Sequence, residues 1–225
     1  MGFQITGDIA TFTLDDGKVN ALGHDAIDKI NAALDLAEDG ANAFIIQGRE
    51  GIFSGGFDLR EVQKGDREAA ALVNRGAALF HRLYSFPMPL IGACTGHAIA
   101  AGAFLLMCCD TRIGAAGKFN IGLNETAIGM THLPWGLELI ASRLAVGHIS
   151  RAVIQAKLYD PQAAIEVGYL DEVVSADAIS QRSTEVATAL TNLPKGTYAQ
   201  TKLDVRRTSL AVIKDSINNH ADNPR

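Results

Sequence analysis

Apolar positions in the first half of the chain follow two periods. Phe3, Ile5, Ile9, Thr11 and Thr13 alternate with polar or opposite-face residues around Gly7-Asp8, which predicts a β-hairpin. Ala26, Ile27, Ile30, Ala33, Leu34 and Ala37 recur at helical spacing, and Gly40 closes that helix. Phe44–Ile46 reads as a short buried strand, and an Ala/Leu/Phe stripe over Arg67–Tyr84 as a second helix. After Pro87 and Pro89 come a strand over Leu90–Cys94, an apolar helix over Ala100–Cys109 and a strand starting near Thr111. Strands alternating with helices in this way indicate an α/β domain. From Pro134 the pattern turns helical: Trp135–Val146, Ser150–Ala156, Pro161–Val167, Ala176–Leu190 and Lys195 to about Ile217, with Tyr169–Val174 as one late strand. The expected organisation is a single domain over 1–225, with a strand-rich core over about 1–133 and a helical region over about 134–217. No internal repeat or low-complexity linker interrupts it, and the polar stretch Asn218–Arg225 is expected to fray.

Composition narrows the function classes. Among 225 residues, 48% are hydrophobic and 20% charged, an ordinary globular balance, and the formal net charge is −5. That charge argues against broad nucleic-acid binding, which depends on basic surface meeting phosphate. Met1–Leu14 lacks a basic segment followed by an apolar run, so no secretory leader is expected. The richest apolar stretch, Ala98–Cys109, falls short of the roughly 18 residues of a membrane span. Three cysteines, Cys94, Cys108 and Cys109, make no disulfide framework and suit a reducing cytoplasm as small buried groups.

Several chemistries are missing. The histidines (His24, His81, His97, His132, His148 and His220) are dispersed without HExxH or i,i+4 pairing, so no metal site is expected. No dinucleotide or P-loop glycine pattern occurs. Ser54 lies in Gly51-Ile-Phe-Ser-Gly-Gly, where Ile52 stands in place of the first glycine of a nucleophile elbow.

Three segments carry candidate chemistry. Ile52-Phe-Ser-Gly-Gly-Phe-Asp-Leu59 joins a buried strand to a helix, and its glycines let the backbone approach a ligand closely. The segment also fits a plain connecting loop. Gly96-His-Ala-Ile-Ala-Ala-Gly-Ala-Phe104 leads into the apolar helix through small residues. Two such turns are able to offer two converging N–H groups to a thioester-derived enolate. Ile121-Gly-Leu-Asn-Glu-Thr-Ala-Ile-Gly129 sets Glu125 among apolar neighbours, where a low dielectric raises a carboxyl's pKa toward an acid–base range. A solvated turn carboxylate fits the same pattern.

Taken together, these motifs resemble the enoyl-CoA hydratase/isomerase (crotonase) family over nearly the whole chain. Val19-Asn20-Ala21-Leu22 is similar to the family's early CoA-contact loop, FSGGFDL to its first oxyanion motif, and GACTGHAIAAGAFLLMCCD to its second. The resemblance implies a ββα spiral core with a helical C-terminal region, and an oxyanion hole from the amides of Phe57 and Ala101. It implies substrate or CoA contacts at Val19, Ala21, Ser54, Gly55, Gly56, Asp58 and Asn124, with Arg60 and Lys64 as candidates for the CoA phosphates. Ala100 and Ala101 stand where the family has glycines. Gly-Leu-Asn-Glu-Thr most resembles the mitochondrial-type delta(3)-delta(2)-enoyl-CoA isomerases, whose catalytic glutamate falls on Glu125. Hydratases of the family carry a second glutamate where this chain has Phe104.

The expected activity is therefore double-bond migration in a fatty enoyl-CoA, with no cofactor beyond the CoA of the substrate. A hydratase, another CoA-thioester lyase or hydrolase, and a non-catalytic CoA-binding assembly protein remain open. The resemblance also implies an acyl-CoA partner and a homotrimer or dimer of trimers, while charge and hydropathy lead to the expectation of no nucleic-acid or membrane partner. Family members use a further helical segment to cover the site and build the trimer, for which little chain follows Ile217.

Overall fold

The computed structural model describes residues 1–222, with side chains as far as Asn219. Its strands are β1 (Gly2–Thr6), β2 (Ile9–Thr13), β3 (Ala43–Gln47), β4 (Gly51–Ser54), β5 (Leu90–Cys94), β6 (Gly96–Ile99), β7 (Thr111–Ala115), β8 (Ile121–Gly122) and β9 (Glu172–Val174). The hairpin expected around Gly7-Asp8 is present, with Thr6 facing Ile9 across the antiparallel pair β1–β2. From β2 onward every pairing in the large sheet, ordered β1-β2-β3-β5-β7-β9, is parallel. A second sheet, β4-β6-β8, is parallel throughout. Each of β3, β5 and β7 is thus followed by a strand of the small sheet, which is the repeating turn of a ββα spiral.

The period of two along the large sheet sorts its side chains. Ala43 and Ile45, Ile91 and Ala93, and Ile113 and Ala115 pack with Ile179 and Ala187 of α7 (Ile179–Thr191). Their neighbours Phe44, Ile46, Leu90 and Cys94 turn into the main core. That core is closed by α1 (His24–Gly40), α3 (Asp66–Tyr84) and α4 (Ala101–Met107), all close to the predicted spans. A four-residue helix, α2 (Leu59–Val62), precedes α3. Beyond the core lie α5 (Pro134–Arg143), α6 (Pro161–Val167) and α8 (Lys195–Asp222).

Four sequence expectations change. The strands β4, β6 and β8 were unreadable because they are short, glycine-bearing and without clean alternation. The expected helix over Ser150–Ala156 is a turn of 3-10 helix (Val146–His148) and a π-turn (Ser150–Ile154), ended by Ala156 at φ 50°. The helix α5 stops at Arg143 rather than Val146. The helix α8 runs through the stretch expected to fray and reaches Asp222, so only 223–225 lie outside the described residues.

Buried charge anchors α8. Asp110, just past α4, accepts from the Leu90 N–H and the Tyr198 hydroxyl at 2.9 Å each, and pairs with Lys202 at 2.6 Å and Arg206 at 2.9 Å. Lys202 also donates to the carbonyls of Phe86 and Met88, and Arg206 to that of Tyr84. Ser216 accepts from the Trp135 N–H at 3.1 Å, so α8 is stitched to α5 as well as to the end of α3. The segment after Lys195 therefore packs over this chain's own core.

Candidate active site

The three segments singled out in sequence meet at one edge of the small sheet. Its strands are neighbours, about 4.8 Å apart, and all run the same way. The chain leaves β4 through Gly55-Gly56-Phe57, β6 through Ala100-Ala101 and β8 through Leu123-Asn124-Glu125. Ligands of parallel sheets characteristically sit beyond the carboxyl ends of the strands. The first two turns touch. A Cβ on Gly56, at φ +101°, would lie 3.1 Å from the Ile99 carbonyl and 3.4 Å from the Ala101 nitrogen. A Cβ on Gly102 would lie 2.2 Å from the Ser54 carbonyl, so glycine there lets α4 seat against the first turn.

Hydrogen bonds aim the two amides. The Gly55 N–H donates to Val19 O at 2.8 Å, Leu22 N–H to Gly56 O at 2.8 Å, and Asp58 N–H to Leu22 O at 3.3 Å. Leu22 and Phe57 pair in parallel, so these bonds flank Phe57 and turn its own N–H to the opposite side. Ala101 opens α4, where the first N–H groups have no intrahelical acceptor. Neither amide donates to a protein group among the described residues. Ala100 holds the turn at φ 52°, ψ −122°, a conformation that glycine adopts without strain.

Glu125 begins a 3-10 turn (Thr126–Ile128), and its carbonyl accepts from the Met130 N–H at 2.9 Å. Its side chain is buried, and burial raises its pKa to about 7 against weaker lowering by its own amide and that of Asn124. Oε2 has no hydrogen-bond partner among the described residues. His132 Nε2, equally without one, lies 3.9 Å away, too long for a hydrogen bond. Beside His132 lies an aromatic wall. The Phe104 ring is 4.9 Å from Trp135, 5.9 Å from His132 and 6.1 Å from Phe80, which in turn lies 6.2 Å from Phe57. Phe104, the residue that the sequence resemblance sets against the second hydratase glutamate, is only 3% exposed.

The other predicted residues divide. Val19 is exposed at the rim, and Ala21 partly so. Asn124 keeps a buried Oδ1 without a partner among the described residues. Ser54 is a correction: it is fully buried, and its hydroxyl donates to Asn20 O at 2.8 Å, so it shapes the turn instead of meeting a ligand. The Asp58 carboxylate is likewise engaged, accepting from the Arg60 N–H and pairing with the Arg60 guanidinium at 2.7 Å. Arg60 and Lys64 are both held by acidic neighbours, Lys64 by Glu61. Sequence reasoning missed Asp16, whose carboxylate accepts from the amides of Lys18, Asn20 and Ala21 and folds the early loop. It also missed His132, which no periodicity links to Glu125. Among the described residues no His, Cys, Asp and Glu side chains cluster as a metal site, and no helix is long and apolar enough to cross a membrane. The three thiols are buried, which pushes Cys94 and Cys109 up to about 12 and leaves them poor nucleophiles.

A family model described as enoyl-CoA hydratase/isomerase matches residues 4–222. The chain belongs to the enoyl-CoA hydratase/isomerase family, within the crotonase superfamily. A family protein from Pseudomonas syringae is 42% identical, with 98% of this chain and 96% of that one covered at a TM-score of 0.96. An enoyl-CoA isomerase from Mycobacterium tuberculosis is 38% identical, covering 99% and 97% at a TM-score of 0.94. That same mycobacterial protein has also been described as a probable enoyl-CoA hydratase. Mouse mitochondrial enoyl-CoA delta isomerase 1 is 30% identical over 204 residues, 88% of this chain and 71% of the mouse protein. Proteins described as isomerases and as hydratases thus share this frame.

Proposed function

We propose that this family member is a delta(3)-delta(2)-enoyl-CoA isomerase. The observation that carries the reading is the buried carboxylate of Glu125 at the end of β8, beside His132, whose ring packs on Phe104, the residue that stands where the hydratases have their second carboxylate. Adding water across a double bond calls for groups that fix the water and move its proton. Moving a double bond needs one base that serves two carbons.

The substrate's thioester oxygen accepts from the Phe57 and Ala101 amides, with Val19, Ala21, Gly55, Gly56 and Asn124 shaping its surroundings. Glu125 takes the C2 proton, and the C–H electrons move into a dienolate whose negative oxygen rests on the two amides. The carboxyl then returns the proton to C4. The C3–C4 double-bond electrons form that new bond, the C1–C2 pair shifts to C2–C3, and the thioester carbonyl re-forms. Each oxyanion donor contributes about 2.7–4 kcal/mol in comparable sites. A carboxyl with a pKa of about 7 suits both halves of this cycle, because it neither holds nor releases the proton too strongly near neutral pH.

Hydration is the second reading, favoured by His132 as another proton-handling group beside Glu125. Assays of 3-enoyl-CoA and 2-enoyl-CoA side by side separate the two. Isomerisation far faster than hydration is expected. Hydration equal to or faster than isomerisation refutes the proposal.

A further inference from the structure

The mechanism above leaves His132 unused, although its placement is specific. It follows Glu125 on the same exposed loop, yet its side chain is only 6% exposed and that of Glu125 only 11%. Nothing in sequence spacing requires this burial. The ring is held edge-on against Phe104, with centroids 5.9 Å apart at 71°. The residue that fills the place of the missing carboxylate therefore also buttresses the imidazole. Nε2 and Oε2 are both sealed from solvent, both lack a partner among the described residues, and lie 3.9 Å apart. A movement of about 1 Å converts that gap into a hydrogen bond, and catalytic contacts commonly tighten in this way when substrate arrives.

We propose that His132 is a positioning residue for Glu125, holding Oε2 of the ionised carboxylate through Nε2–H so that Oε1 stays aimed at the substrate carbons. A base that must reach two carbons in turn needs one oxygen fixed and the other free to swing between them. His132 supplies the fixed point without adding a second carboxylate. Burial favours the uncharged imidazole, which still carries one N–H to donate. The other groups around the pair carry no charge. Helices α4 and α5 present Phe104 and Trp135, which do not titrate. From the turn after α6, Tyr169 faces Glu125, and burial together with the Glu125 charge keeps its phenol protonated. Tyr159 stands behind Tyr169, with ring centroids 6.2 Å apart.

This inference rests on the isomerase reading only for what the carboxylate acts on. Its test therefore begins without substrate. NMR titration of the histidine rings and glutamate carboxyls is run on wild type, Glu125→Gln and His132→Leu. Coupling is reciprocal. The pKa of His132 is expected to fall in Glu125→Gln, and that of Glu125 to rise in His132→Leu, each by about one pH unit. With 3-enoyl-CoA, His132→Leu is expected to lower kcat far more than it changes KM. The acidic limb of its pH profile should move upward by the same unit, and His132→Gln, which keeps an N–H donor, should recover much of the rate.

Titrations of His132 and Glu125 that are each unmoved by loss of the other overturn the proposal. So does a His132→Leu rate loss that is uniform with pH. If His132→Leu does not fold, the wild-type and Glu125→Gln comparison decides alone. Reciprocal shifts in a protein that does not isomerise 3-enoyl-CoA would sustain the His132 assignment while removing the isomerase reading.

Discussion

Glu125→Gln should make the protein inactive and more stable at once. The variant keeps the size and polarity of the side chain but cannot ionise, so turnover should fall by at least about a hundredfold, the low end of general acid–base contributions. The stability gain follows from the carboxyl's pKa, which burial raises from 4.5 to about 7 in the folded protein. Between those values the folded state keeps a proton that the unfolded chain has lost, so stability falls as pH rises through that window and levels off above it. At about 1.4 kcal/mol per unit, the ionised carboxylate costs the fold about 3 kcal/mol, a penalty that glutamine does not carry. Urea unfolding of both proteins at about pH 4 and about pH 8 tests this. The two should be nearly equal at the acid end, with the variant ahead by about 3 kcal/mol at the alkaline end. Other carboxylates titrate equally in both proteins and cancel. A difference between variant and wild type that does not grow with pH would refute the reasoning, because Glu125 would then not be held ionised in a site that disfavours its charge.

Ala100→Gly should stabilise the protein by about 1 kcal/mol, since strain at a positive φ exceeds the entropy that glycine adds to the unfolded chain; a urea midpoint at or below wild type would contradict this. Asp110→Ala leaves Lys202 and Arg206 buried without their anion and should cost about 3–5 kcal/mol, read as a lower urea midpoint with α8 loosened in hydrogen exchange. A loss below about 1 kcal/mol would mean the cluster is wetter than it looks. The protein is expected to be a trimer or hexamer at micromolar concentration, with Val205 on α8 and Val146 among the exposed apolar residues available for contact; light scattering that shows a clean monomer would end that expectation.

The parts of the fold written in side-chain period were legible before the structure. The stripe from Ala26 to Ala37 is α1, the paired faces of Phe44–Ile46 lie in β3, and Gly7-Asp8 turns the hairpin. What escaped was structure set by backbone pairing. Gly51–Ser54 and Gly96–Ile99 read as loops because glycines and short length leave no alternation, yet pairing between them builds the sheet on which the site stands. The candidate site was legible where residue type constrains structure: Glu125 among apolar neighbours is buried with a raised pKa, and the glycines form the turns. Ser54 was misassigned because a hydroxyl's partner cannot be read from its neighbours in sequence, and here that partner is the Asn20 carbonyl. His132 stayed hidden for the same reason, since a loop of no fixed period carries it back to Glu125.

Two of the three groups at the strand ends are main-chain atoms, encoded by the path of the chain rather than by its lettering. The Phe57 and Ala101 amides survive any substitution that leaves the turns intact, whereas Gly56 and Gly102 have almost no latitude. Descent can therefore change the lettering around these turns while the two N–H groups persist. A search for relatives with the same chemistry does better to weigh where glycines fall after short parallel strands than to match the letters at the donors themselves.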